Sequence, residues 1–200
     1  MYRGNSSRVV PILLVLIVIA IAIAALVSAG RAIFGGNDPA AQTQVDTGRD
    51  TLLNTALGHS VRMTVRGPIV ADETFRSYQV NVDPSERALT AYAGYLSDPL
   101  DSKNYSNNAK AYEEFVYALD KANLMKGTAL TGDKDDTRGI CATGNVYEFE
   151  VLKDNKVVKR LWTSTCKGSV GSLKASVTQL ETLFHNQIPD NRAVLRTIDL

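Results

Sequence analysis

The side chains able to do chemistry are few: His59 with Ser60 beside it, His185, the two cysteines Cys141 and Cys166, and the acidic run from Asp133 to Asp136. Ser60 and His59, in "LGHSV", would carry out acyl transfer only with an orienting acid and oxyanion donors, and the chain has no G-x-S-x-G turn. His59 reads as a loop histidine at a helix-to-strand corner, and His185 as a residue suited to the negative end of a helix dipole. Set against a calcium loop beginning at Asp133, Arg138 stands where glycine is needed and Gly144 where glutamate is needed, so the template fails. Glu113 and Glu114 are adjacent on a predicted helix and diverge. There is no glycine-rich phosphate motif. The expectation is therefore no catalytic residue, no metal site, no cofactor and no enzyme.

The cysteines bracket "CATGNVYEFEVLKDNKVVKRLWTSTC", which alternates like two strands around "KDNK". A redox pair would want C-x-x-C, and a zinc site needs more ligands than two distant histidines supply. A structural disulfide in an oxidising compartment fits, closing a loop worth about 3 kcal/mol. With Leu152 opposite Val157, Cys166 would face Thr143, two positions from Cys141, and a bulge at Gly144 would bring the sulfurs together. That register gives an apolar face of Tyr147, Phe149, Val151, Val158 and Trp162 and pairs Glu150 with Lys159. It also leaves Arg160 on the apolar side, where it must snorkel or stack unless the register differs.

Five tyrosines, Tyr92, Tyr95, Tyr105, Tyr112 and Tyr117, gather along the third strand, the next loop and the following helix. Tyrosine offers large contact area at low entropic cost, so they form a candidate binding surface, against the alternative that they fill core. Asn104-Tyr105-Ser106 fits a glycosylation sequon.

These groups need a scaffold, and its first part is an anchor. "VVPILLVLIVIAIAIAALV", Val9 to Val27, lies in a stretch without charge between Arg8 and Arg31, long enough to cross roughly 30 Å of hydrocarbon. It exceeds the apolar region of a cleaved signal peptide. Arg3 and Arg8 place the N-terminus on the cytoplasmic side. The expected division is a cytoplasmic tail at 1–8, a transmembrane helix at 9–30, a linker at 31–45 and an extracytoplasmic domain at 46–200.

Beyond residue 31 the chain carries 19 basic and 21 acidic residues, a balance that argues against nucleic-acid binding. Its patterning predicts a short helix near 48–57 and a strand with Val61, Met63 and Val65 on one side. A hairpin follows in which Val82 pairs with Arg87, turned by Asp83-Pro84. A polar loop, "SDPLDSKNYSNN", leads to a helix over 109–125 capped by Asn107 or Asn108 and stopped by Gly127. The cysteine hairpin and a last helix, capped by Ser172 and ended by Pro189, complete the chain. The expected class is α+β: a transmembrane helix, then a two-layer domain with an antiparallel sheet and helices on one face. Hairpin followed by helix occurs twice, as a pseudo-repeat or as chance recurrence of a common motif.

With its arginine-bearing tail, "PILLVLIVIAIAIAALV" span and small disulfide-clamped domain, the chain resembles uncharacterised single-pass membrane-anchored surface proteins of small-genome, host-attached bacteria. The resemblance lies in the anchor and the layout, and implies a cell-envelope location. The expected role is non-catalytic: a tethered domain whose partners are the lipid bilayer through residues 9–30 and another envelope or surface protein. An envelope hydrolase acting on glycan through His59 and Ser60, and a carrier with a cavity between sheet and helices, are the alternatives.

Overall fold

The computed structural model describes residues 47–95 and 98–198. The expected tail, transmembrane helix and linker, residues 1–45, lie outside them. Among the described residues no helix is long and apolar enough to cross a membrane.

The chain runs α1 (Thr47–Leu52), β1 (His59–Arg66), β2 (Arg76–Val82), β3 (Glu86–Ala93), β4 (Asp98–Ser106), α2 (Ala109–Lys121), β5 (Val146–Lys153), β6 (Lys156–Ser164), α3 (Val177–His185) and α4 (Asn191–Leu195). The six strands form one antiparallel sheet in the order β4-β3-β2-β1-β5-β6. Alternation decides its two faces. Val61, Met63, Val65, Tyr78, Val80, Val82, Leu89, Ala91, Phe149, Val151 and Leu161 point to one side and share a core with Phe115, Leu119, Leu180, Phe184 and Val194 of the helices. Phe184 lies at the centre, edge-on to Phe115 at 5.3 Å and tilted against Phe149 at 6.0 Å.

The β2–β3 hairpin has the expected register, Val82 opposite Arg87, because Asp83 Oδ1 accepts from the amides of Ser85 and Glu86 and from the Ser85 hydroxyl. Asn108 caps α2 as expected, accepting from the Ala111 amide at 3.0 Å.

Several local expectations fail for identifiable reasons. The helix predicted over 48–57 ends at Leu52, since the Asn54 side chain takes the Ala56 amide, and Leu57 is 80% exposed. Helix α2 stops before Gly127 because Asn123 adopts a left-handed φ of 63°. Ser172 caps no helix: its hydroxyl accepts from the Trp162 amide, and Ser176 caps α3 by accepting from Gln179. The polar loop at 97–108 is largely the edge strand β4, an exposed ladder with no apolar alternation to reveal it. It stands between the first hairpin and α2, with no counterpart between β6 and α3.

The hairpin between the cysteines departs most. Leu152 faces Val157 as predicted, but Val151 then pairs with Lys159 and Glu150 with Arg160, so Val158 is an extra residue. Because side chains alternate with period two, this one-residue shift sends Leu161 into the core and turns Trp162 and Arg160 to the opposite face. The Asp154-Asn155 turn has positive φ at both residues, 50° and 60°, as a tight two-residue hairpin loop requires.

Candidate functional site

Cys141 and Cys166 form the expected disulfide, with Cα atoms 5.5 Å apart. The predicted bulge is not at Gly144 but beside the turn at Val158. Gly144 contributes by its smallness: a Cβ there would stand 2.2 Å from Thr165 Oγ1 and 3.1 Å from Cys141 Sγ.

The face of the sheet turned away from the helices is a layer of paired charge. Arg62 Nε donates to Glu150 at 2.6 Å, and Arg66 lies 3.3 Å from Glu148. Arg160 approaches Glu148 at 3.8 Å and Asp135 at 2.8 Å. The Thr137 hydroxyl donates to Glu148 at 2.8 Å. Both glutamates are buried, so each needs these partners. The acidic run from Asp133 to Asp136 thus serves the fold: Asp135 pairs with Arg160, and Arg138, hydrogen-bonded to Asp136, holds that carboxyl well below the usual carboxylate range. Among the described residues no cluster of histidine, cysteine and carboxylates could hold a metal ion.

Beside this layer a groove of about 560 Å³ opens. Ile69, Phe75, Tyr95 and Ile140 supply its apolar lining, with Arg66 and Arg138 among its polar residues and Cys141 in its wall. Ile69, Val70 and Tyr95 are 46%, 42% and 48% exposed and close together, whereas most large apolar side chains of the domain are buried. The patch is fixed in place. Tyr95 stacks on Phe75 at 4.0 Å, its amide donates to Asp72, and its hydroxyl donates to the Val70 carbonyl at 2.9 Å. The Ile69 amide donates to Ala142, next to the disulfide. Arg66 and Arg138 already face Glu148 and Asp136, so the groove offers apolar surface with neutralised charge.

The five tyrosines do not gather. Tyr112 is fully buried in the core, its hydroxyl driven up by desolvation and next by the charge of Asp83. Tyr117 is exposed on α2, Tyr92 is half-buried opposite Ser77, and Tyr105 donates to the Pro189 carbonyl at 3.0 Å. Tyr95 alone lines the groove. The groove's other apolar residues gave no sequence signal, because isolated apolar residues in turns have no period.

His59 and Ser60 line a polar pocket of about 360 Å³ that also includes Asp83 and Asp154. The arrangement lacks a triad. His59 Nδ1 donates to the Ala56 carbonyl at 3.2 Å, and Asp83 Oδ1 is taken up by the turn it caps.

His185 has partners that the sequence did not reveal. Its Nε2 and the Tyr78 hydroxyl are 3.0 Å apart, and that hydroxyl donates to Glu181 Oε1 at 3.0 Å. Since the hydroxyl proton goes to the glutamate, Nε2–H must donate to the phenol oxygen. Burial drives Tyr78 above its ordinary value, with Glu181 adding to it, and burial lowers His185 against the opposing pull of Glu181. The Tyr78 phenol is thereby kept protonated, as a hydrogen-bond donor. The cavity beside it, about 190 Å³, is below the size of an ordinary small-molecule site.

No protein-family model matches the chain, and no curated protein resembles it significantly.

Proposed function

We propose that residues 46–200 form a non-catalytic binding domain, held outside the cytoplasm by a membrane anchor at residues 9–30, that takes an apolar segment of another envelope or surface protein in the groove around Tyr95. The observation that carries this reading is the rigid exposed patch of Ile69, Val70 and Tyr95. A preorganised apolar surface loses little entropy on binding, and peptide side chains suit a lining whose charges are already neutralised. The disulfide supports an oxidising compartment, and the arginine-flanked apolar run supports the anchor and its orientation.

The test is a crosslinking pull-down of the intact chain, of a copy lacking residues 1–31, and of Ile69→Asp in the intact chain. The expected result is a reproducible partner kept by the truncated copy and lost by Ile69→Asp. An unchanged partner set in Ile69→Asp would remove the groove from the reading.

A further inference from the structure

On the opposite, helix-bearing side, β4 and α4 enclose a second groove of about 620 Å³. Lys103, Arg192 and Arg196 line it together with Tyr105, and Asp190 is the one carboxylate among its lining residues. Some surface cations of the domain are paired, as Arg49 is with Asp120 and Lys110 with Glu113 and Glu114. Among the described residues these three form no ion pair and no side-chain hydrogen bond. Arg192 on α4 and Arg196, its C-cap, are four apart in helical conformation, where like charges repel by a few tenths of a kcal/mol. The groove therefore concentrates positive charge in a part of the chain where acids outnumber bases.

A fourth cation stands behind it. The Arg87 guanidinium carbon lies 6.0 Å from the centroid of the Tyr105 ring, and its Nε is buried without a hydrogen-bond partner. The Tyr105 hydroxyl donates to the Pro189 carbonyl, which holds that ring at the groove. Two guanidiniums and an ammonium suit phosphate oxygens, which accept bidentate forks from arginine and point-charge contacts from lysine. A lipid surface is the poorer match, because of the lining residues only Ala193 and Tyr105 present apolar surface for insertion.

We infer that the groove between β4 and α4 binds a soluble ligand carrying several phosphate groups, through Lys103, Arg192 and Arg196.

The test is calorimetric titration of the full chain, in nonionic detergent, with sodium tripolyphosphate at low and at physiological ionic strength. Saturable binding that weakens with salt is expected. The double charge reversal Arg192→Glu/Arg196→Glu should weaken it at least about tenfold, since charge-assisted hydrogen bonds are lost. Both arginines are exposed, so an unchanged thermal melt should accompany the loss. Lys167→Glu, an exposed charge change elsewhere, should leave affinity in place. Absent saturable binding, or equal weakening by Lys167→Glu, would overturn the inference. So would arginine-dependent capture of phosphatidylglycerol vesicles without tripolyphosphate binding, which would assign the groove to lipid.

Discussion

Along β1, Val61, Met63 and Val65 enter the helix-covered core, while Arg62 and Arg66 enter a layer of charge on the other side of the same strand. The two faces are specified differently. Hydrophobic burial has no preferred direction, so the apolar face needs only the right alternation and volume to form around Phe184. Ion pairs require position. Glu148 and Glu150 are buried only because Arg62, Arg66 and Arg160 reach them, and Arg160 does so because the bulge at Val158 turns it to that side. One face tolerates substitution by similar volume; the other depends on particular atoms.

That contrast can be broken most directly at its apolar centre. Phe184→Ala should lower stability by about 3–5 kcal/mol, since a fully buried ring between Phe115 and Phe149 leaves a cavity. Urea melts with an unchanged m-value would check it. Next in size is the clasp at the open end of the hairpin. Replacing both Cys141 and Cys166 by serine should cost about 3 kcal/mol, and adding reductant to the unmodified chain should reproduce the shift in melting temperature.

On the charged face, Glu148→Gln should cost roughly 1–3 kcal/mol, because Arg66 and Arg160 lose a partner but both remain partly solvated. A melt as stable as the parent's would mean that the layer is held by packing alone.

His185 supplies a pH-dependent comparison. Its folded value lies below the ordinary 6.5, so the unfolded chain takes up the proton first. Its contribution is therefore intact above about pH 6.5 and declines as pH falls through the folded value. His185→Gln should flatten that part of the stability–pH curve relative to the parent. Identical slopes for the two would show that burial of the ring does not matter to stability. The smallest effect is expected at the bulge: Val158→Lys should change stability by no more than about 0.5 kcal/mol, as an exposed extra residue has little to lose. A cost of several kcal/mol would instead restore the uninterrupted register in which Val158 faces the core.

Much of the domain was legible where a period existed. Val61, Met63 and Val65 announce β1, Asp83-Pro84 sets the first hairpin, and Asn108 opens α2. β4 was not, because an edge strand with both faces largely exposed has no hydrophobic pattern to betray it. Of the groove's apolar lining only Tyr95 stands out in the sequence, for its type rather than its place. His185 and Glu181 are visibly four apart on a helix, yet Tyr78, more than a hundred residues earlier, completes their network.

By itself the sequence determined the α+β class, the disulfide pairing and the absence of any recognised catalytic motif, because alternation, helical period and the presence of only two cysteines are properties read along the chain. Only the tertiary structure decided the face on which Arg160 and Trp162 fall, and the assembly of Ile69, Phe75 and Tyr95 into one groove. It alone brought Lys103 into one cavity with Arg192 and Arg196, about ninety positions later. The physical reason is that a bulge shifts register by a single residue and a groove joins segments distant in the chain, and neither leaves a periodic trace in the order of amino acids.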